Sequence, residues 1–149
     1  MLSKKTKYAI NALVFLAKGN RGEAIQISKI AESEHISRKF LEAILLVLRN
    51  AGMLSSKKGV AGGYYLLMEP EAINIAEVMR LFEGPIALLP CVSHKYYEKC
   101  EECKDEATCG IRNVFAEIRN ETVNRLKHAT IQNILDREQN LEKGKKKKK

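Results

Sequence analysis

Features that would place the chain in a membrane or export it are missing from this sequence. No apolar run approaches the roughly 20 residues of a bilayer-spanning helix, although 45% of the residues are hydrophobic. No small-residue cleavage site follows an apolar stretch near the start, so we expect no signal peptide. The 149 residues leave room for one domain and a short appendage. These absences favour a cytoplasmic globular protein with no membrane partner.

Catalytic patterns are missing as well. The sequence contains no nucleophile–base pair, no phosphate-binding loop and no paired carboxylates suited to acid–base chemistry. Glu117 and Glu121 are four residues apart, but both belong to the solvated side of a predicted long helix. We therefore expect a binding protein rather than an enzyme.

The excess of positive charge is concentrated at the end of the chain. The formal net charge is +8, from 26 basic and 18 acidic residues, and six of the lysines lie within residues 143–149. The rest of the chain has 20 basic residues against 18 acidic ones. Like charges repel and lysines cannot build a core, so residues 138–149 are predicted to form a disordered basic tail. Nonspecific attraction to nucleic acid and simple solubilisation are both open for this tail.

Three predicted helices begin the chain. Apolar residues recur at helical spacing over residues 3–18 and 37–51, and a shorter helix is predicted over residues 28–33. Ser28 and Ser37 are of the residue type that caps helix N-termini. Residues 34–36 form the turn between the second and third helices. A short helix, a three-residue turn and a longer helix with a basic outer face are typical of a helix-turn-helix.

A β-hairpin is predicted directly after these helices. Residues 53–57 and 64–67 have strand character and flank residues 58–63, in which three glycines permit the chain to reverse. A further helix, capped by Asn74, is predicted through Glu83 before Gly84 and Pro85 end it. The predicted fold is therefore mainly α with a small β-hairpin wing, in which residues 1–83 form a winged helix-turn-helix domain.

The N-terminal outer face of the third helix and the tip of the wing carry groups suited to reading DNA. Arginine and lysine donate to guanine or to phosphate, and the carboxylate of Glu42 can accept from cytosine N4. Lysines beside glycines let cation and backbone approach phosphates or the minor groove closely. The residues predicted to contact double-stranded DNA are Ser37, Arg38, Lys39, Glu42, Lys57, Lys58 and Gly59.

The second half of the chain divides into three predicted parts. Residues 84–109 lack periodicity and contain every cysteine, residues 110–137 hold a long helix to about His128 and a short last helix over 130–135, and the basic tail follows. The long helix has an apolar stripe, although the winged domain is already complete before it. We expect its partner to be the same helix of a second chain, in a homodimer that reads a palindromic operator. The stripe consists of Ile111, Val114, Phe115, Ile118, Thr122 and Leu126.

The four cysteines are predicted to form a metal site. Thiolates can hold an iron–sulfur cluster or a tetrahedral zinc ion, and cysteines grouped in one segment of a cytoplasmic protein favour metal over disulfides. Spacing alone does not separate [2Fe-2S], [4Fe-4S] and zinc, and His94 could replace one sulfur. The predicted ligands, spaced C-x8-C-x2-C-x5-C, are Cys91, Cys100, Cys103 and Cys109.

These residues resemble the IscR, NsrR and CymR group of bacterial regulators. The resemblance lies in Ser37 at the start of the recognition helix, Leu41-Glu42 within it, Gly62-Gly63-Tyr64 at the end of the wing, and the late cysteine segment before a long helix. It extends to about residue 135. It implies a homodimer with peripheral winged domains and central crossing helices.

For the sites, the resemblance implies an iron–sulfur cluster that senses cluster supply, nitric oxide or redox state. Several members of the group hold such a cluster with three cysteines and a further ligand. Cys91, Cys103 and Cys109 match the three cysteine positions. Glu42 matches a position that helps set sequence preference, and Lys58 matches a basic wing residue.

Three positions depart from the pattern of the group. Arg112 stands where the best-known cluster-binding pattern has a histidine, so Cys100 becomes the expected fourth ligand. His35 occupies a turn position where glycine is common, and histidine can adopt the left-handed conformation at some cost. Val60 and Ala61 replace a proline and a glycine in the wing.

The leading prediction is a dimeric regulator whose DNA binding depends on an iron–sulfur cluster. One alternative keeps the winged-helix regulator and makes the cysteines a structural zinc site. The other is a metal-free regulator controlled by a small molecule or by a partner protein.

Overall fold

Helices dominate the computed structural model of the chain, which describes residues 2–146, and one hairpin interrupts them. The fold is mainly α with a β-hairpin wing, as the sequence predicted. Within residues 2–146, no helix combines the length and the apolar character that crossing a bilayer requires. The elements are α1 (Lys4–Ala17), α2 (Ile27–Glu34), α3 (Arg38–Asn50), β1 (Leu54–Lys57), β2 (Gly63–Leu66), α4 (Ile75–Phe82), a short 3-10 helix (Pro90–Val92), α5 (Gly110–His128) and α6 (Ile131–Lys146).

The helix-turn-helix consists of α2, a tight turn and α3. His35 ends α2 in the left-handed region, with φ 52° and ψ 43°, a conformation that costs a non-glycine residue roughly 1–2 kcal/mol. The Ser37 hydroxyl accepts a hydrogen bond from the backbone N–H of Phe40 at 3.4 Å, which confirms the predicted cap of α3. The inward stripe of α3 is fully buried at Leu41 and Leu45, which holds its opposite face toward solvent.

The start of α2 differs from the prediction. Ser28 was expected to cap this helix, but α2 begins at Ile27 and follows Gln26, which makes no side-chain cap. The reason lies in the tertiary structure, since Ile25 pairs with Tyr64 of β2 through two backbone hydrogen bonds of 2.8 and 2.9 Å. The chain is therefore held in an extended conformation up to Ile25, and the helix starts directly after it.

The wing is the antiparallel pair β1–β2, in register from Leu54 opposite Leu66 to Lys57 opposite Gly63. Its loop has five residues, 58–62, instead of the six predicted, because Gly63 belongs to β2. The Gly62 N–H donates to the Gly59 carbonyl at 2.9 Å and closes the turn. The backbone pairing of Tyr64 with Ile25 adds a third, single-residue strand beside β2. The wing is thus tied to the body of the domain at its β2 side.

The core surrounds α1, which packs against α3, α4 and α6. Its own N-terminus is tied to the end of α4, because Glu83 accepts hydrogen bonds from the Ser3 N–H (2.9 Å) and from the Thr6 hydroxyl. These bonds stabilise the carboxylate and lower the pKa of Glu83. Thr6 itself is fully buried. The two ends of the winged domain are therefore joined by a polar contact as well as by apolar packing.

The last helix is longer than predicted. A short helix ending near Leu135 and a disordered tail from residue 138 were expected, but α6 continues to Lys146. Ile131 and Leu135 are buried in the core beside α1, and Lys18 pairs with Glu138 at 2.7 Å. This packing extends the core of the winged domain beyond the predicted boundary at residue 83. The remaining lysines of the predicted tail, residues 147–149, lie outside the described part of the chain.

The apolar stripe predicted along α5 divides between two faces, although the helix has the predicted bounds. Phe115 and Leu126 are half-buried against the body of the protein. Ile111, Val114 and Ile118, spaced i, i+3 and i+7, are exposed by 66%, 52% and 41%. One face of α5 therefore packs on its own chain, and a second apolar face points to solvent.

Candidate nucleic-acid interface and cysteine cavity

The residues predicted to contact DNA are all exposed. Arg38 and Lys39 lie in the first turn of α3, and Glu42 lies one turn further on the same helix. Arg38 Nε is 3.3 Å from Glu42 Oε1, and both side chains are more than half exposed. An exposed ion pair of this kind contributes little to stability. Both groups are therefore free to exchange this contact for base edges or phosphates.

The wing presents its cations differently from the recognition helix. The Lys57 ammonium donates to the Gly22 carbonyl at 2.8 Å and lies 5.1 Å from the centre of the Tyr65 ring. Lys57 thus connects the wing to the loop that precedes α2. Lys58 and Gly59 lie at the exposed tip. The tip is the part of the wing best placed to approach a DNA backbone.

An open cleft of about 280 Å³ joins the start of α2, the start of α3 and the wing. It brings together three of the predicted DNA contacts, namely Arg38, Lys57 and Gly59. The other four predicted contacts, Ser37, Lys39, Glu42 and Lys58, do not line it. Backbone glycines and two cations around one cleft suit a phosphate oxygen, because the backbone can approach closely.

Gln26 also lines this cleft, although the sequence pattern did not predict it as a site residue. Its side-chain amide donates to the Val60 carbonyl at 3.1 Å, so it links α2 to the wing tip. Val60 itself is 97% exposed. No local pattern marks Gln26, because it becomes part of the site only through the folding of the wing onto α2. Ser28, which we interpreted only as a cap, lines the cleft as well.

The four cysteines line a single cavity of about 480 Å³. Cys91 is buried in the short 3-10 helix, and Cys109 is the N-cap of α5, where its sulfur accepts from the Arg112 N–H at 3.4 Å. Cys100 and Cys103 come from the irregular segment between them. Two thiols are therefore held by helical elements, and two are carried by a segment without regular structure.

The thiols of Cys100 and Cys103 favour the protonated form. The Cys100 thiol donates to the Glu102 carboxylate at 3.3 Å, and this bond raises its pKa. Burial raises the pKa of Cys103, with a further contribution from the neighbouring Cys109 and Glu106. Thiolates are the form that ligates metals, so metal uptake at this cavity would release protons.

The cavity fits a thiolate-held metal group in the number and type of its donors. Its remaining lining includes the apolar side chains of Leu89, Pro90 and Ile111. Across residues 2–146, however, no three ligating side chains lie close enough together to hold a metal ion. Ligation at this cavity therefore requires its cysteines to move closer together.

Two other residues considered at the sequence level are also located. His94 does not line the cysteine cavity; it lines a separate one beside α5. Arg112 lies one turn into α5 after Cys109, where its Nε is buried and has no hydrogen-bond partner among the described residues. The position that a histidine ligand occupies in the best-known cluster-binding pattern thus holds a cation here.

Known proteins are similar to this chain in sequence and in fold. The Rrf2 family, described as iron-dependent transcriptional regulators, matches residues 2–137 of this chain. A putative HTH-type transcriptional regulator, rrf2-like, from Rhodobacter capsulatus is 46% identical over 121 residues, covering 79% of this chain and 81% of that protein. The HTH-type transcriptional regulator NsrR of Bacillus licheniformis is 31% identical over 142 residues, covering 95% of this chain and 96% of that protein.

A solved structure shares the architecture. The structure of CymR, the global cysteine regulator of Bacillus subtilis, superposes with a TM-score of 0.73 at 30% identity, covering 91% of this chain and 96% of that one. The three proteins that this chain is similar to are named as regulators and not as enzymes. The winged helix-turn-helix, the exposed face of α3 and the family match lead to one conclusion. This chain belongs to the Rrf2 family of DNA-binding transcriptional regulators.

Proposed function

We propose that this regulator binds a palindromic operator as a homodimer, and that an iron–sulfur cluster held by its cysteines controls that binding. The observation that carries the proposal is the common cavity of Cys91, Cys100, Cys103 and Cys109 at the N-terminus of α5. Four soft donors in one cavity meet the requirement of a Cys₄ cluster. The NsrR similarity and the iron-dependent description of the family support this assignment.

The DNA-binding part of the proposal uses the exposed face of α3 and the wing. The first turn of α3 enters the major groove, where Arg38 and Lys39 donate to guanine or phosphate and Glu42 accepts from cytosine. Lys58 and Gly59 at the wing tip contact the adjacent backbone or minor groove. The exposed apolar face of α5, formed by Ile111, Val114 and Ile118, packs on the same face of a second copy.

The cysteines connect the sensing event to the DNA-binding part through the elements that carry them. Cys91 lies in the 3-10 helix that packs on α5, and Cys109 caps α5, which also packs on α4 of the winged domain. Gathering Cys100 and Cys103 toward these two anchors orders the segment over residues 93–109. When bound, the cluster supplies a redox-active and nitric-oxide-reactive centre. A change in the ligation by the cysteines therefore alters how α5 sits against the winged domain.

The cluster is tested by anaerobic purification followed by ultraviolet–visible spectroscopy, metal analysis and operator binding. We expect the wild-type protein to be brown, to contain iron and sulfide, and to change its operator affinity about tenfold or more when the metal is removed, a free-energy change of about 1.4 kcal/mol. Cys103→Ser should lose the visible absorption and the dependence on metal together. Glu98→Gln is the matched control and should keep both properties, because Glu98 lines the same cavity without being a proposed ligand or the acceptor of the Cys100 thiol.

Two outcomes of this experiment favour the alternatives. A colourless protein with stoichiometric zinc indicates a structural zinc site. A protein whose operator binding and regulation are unaffected by substitution of all four cysteines is a metal-free regulator, controlled by a small molecule or a partner protein. Either outcome contradicts the proposal of cluster sensing.

Glu42→Ala should change base preference without changing stability. The side chain is exposed and, among residues 2–146, is paired with Arg38 alone, so we expect the free energy of unfolding to shift by less than about 0.5 kcal/mol. Loss of the acceptor should reduce discrimination for cytosine at one position of each half-site by roughly tenfold or more. Selection from randomised DNA duplexes measures this preference. Glu71→Ala, at an exposed site away from α3, serves as the control. Equal base preferences in the wild type, Glu42→Ala and Glu71→Ala would exclude Glu42 from base readout.

A further inference from the structure

A basic cavity lies outside both sites already described. It has a volume of about 130 Å³ and is bounded by α4, by the segment after Gly84 and by α5. Each of these three elements contributes one cation: Arg80 from the last turn of α4, Lys95 from the segment and Arg119 from α5. None of the residues that line it is acidic. The cavity is therefore positively charged at a junction between the winged domain and α5.

The cations of this cavity have no anionic partner in the described chain. Within residues 2–146, no carboxylate oxygen lies within 4.0 Å of Arg80, Lys95 or Arg119. Arg119 Nε is completely buried and has no hydrogen-bond partner there. A buried donor that is left unsatisfied is destabilising, and more so when it is charged. Arg119 therefore holds a buried donor without a partner, and the exposed Arg80 and Lys95 add positive charge beside it.

Further donors complete the lining. Ser93 is buried, and its hydroxyl oxygen accepts from the Tyr96 N–H at 3.1 Å, which leaves the hydroxyl proton free to donate into the cavity. The Lys95 ammonium lies 5.6 Å from the centre of the Tyr96 ring, and this contact holds it beside the cavity. Drug-sized ligands occupy pockets of roughly 300–1,000 Å³, so the volume here matches a small ion.

We propose that this cavity is a binding site for a small oxyanion of the sulfate or phosphate type. Arginine is suited to such a ligand because its planar donors match the geometry of the oxygens. Arg119 donates from one wall, Arg80 and Lys95 supply charge from the other two, and Ser93 donates a neutral hydrogen bond. A bound anion joins α4 to α5, so anion binding stabilises the orientation of α5 against the winged domain.

The test is titration of the full chain with sulfate, and separately with inorganic phosphate, at constant ionic strength set by sodium chloride. We expect saturable binding by isothermal titration calorimetry and a rise of the melting temperature that follows the same saturation. Arg119→Gln should weaken the binding at least tenfold. Lys95→Gln should weaken it too, and because this side chain is exposed the variant keeps the test valid if Arg119→Gln fails to fold. Lys127→Gln, on α5 but outside the cavity, should bind as the wild type does.

Two results would overturn the proposal. Equal stabilisation of the wild type and both cavity variants by sulfate would show a general ionic effect. The second result is that neither sulfate nor phosphate binds, and that Arg119→Gln sediments as a monomer where the wild type sediments as a dimer. These cations would then form ion pairs with acidic side chains of a second copy.

Discussion

Gly63→Ala is expected to disrupt the wing and to cost the protein about 3 kcal/mol or more of stability. Gly63 has φ +151°, and a Cβ built there would lie 2.2 Å from the carbonyl oxygen and 2.4 Å from the carbonyl carbon of Ile25. Both atoms are backbone, so no rotamer change can relieve the overlap. The chain must either separate Ile25 from Tyr64, breaking their two hydrogen bonds, or shift β2 away from its register.

The same substitution should weaken operator binding at least tenfold at temperatures where the protein is still folded. The wing carries Lys58 and Gly59, and the Ile25–Tyr64 bridge sets its position relative to the start of α2. Urea unfolding measures the first effect, and binding to operator DNA measures the second. Gly144→Ala is the control, because a Cβ at Gly144 meets nothing within 4 Å. It should leave stability unchanged or raise it by up to about 1 kcal/mol, since alanine is the better helix former.

A Gly63→Ala protein with wild-type stability and wild-type operator affinity would show that β2 can move without cost. The pairing of Ile25 with Tyr64 would then not be needed to hold the wing in place.

Val114→Asp is expected to convert the proposed homodimer into a monomer and to reduce affinity for the proposed palindromic operator about a hundredfold. The side chain is 52% exposed and lies between Ile111 and Ile118 on the apolar face of α5. A charge in the middle of that face must be desolvated without a partner when two copies associate, which disfavours the interface strongly. A monomer contacts one half-site only, so it loses the gain from binding both half-sites together.

Folding of the single chain should be little affected, because the Val114 side chain is 52% exposed and outside the buried core. Sedimentation velocity measures the association state, and circular dichroism checks the fold. Asn113→Asp introduces the same charge at the adjacent exposed position of α5, on its polar side, and should remain dimeric. If Val114→Asp still sediments as a dimer, α5 does not form the interface through this face.

Local sequence signals predicted the secondary structure well where the structure depends on neighbours in the chain. The caps of α3 and α4 by Ser37 and Asn74 are confirmed, since a serine or asparagine before an apolar periodic run satisfies N–H groups of its own helix. The left-handed conformation of His35 was expected from its place in the turn and is confirmed.

The errors occurred where a distant segment decides the local structure. Ser28 does not cap α2, because pairing of Ile25 with the wing determines where that helix begins. The last helix passes the predicted end at Leu135, and Glu138 in its added part pairs with Lys18 at the end of α1. A sequence pattern reports the preference of a segment, but it does not report the surface on which that segment packs.

The sequence by itself determined the winged helix-turn-helix fold, because helical periodicity, helix caps and turn glycines act over a few residues. It also determined that four thiols lie in one segment. Only the tertiary structure decided that all four line one cavity, and that one apolar face of α5 is left in solvent. It alone placed Arg80, Lys95 and Arg119 around a second cavity, since residues far apart in the chain meet only when α4 and α5 pack together.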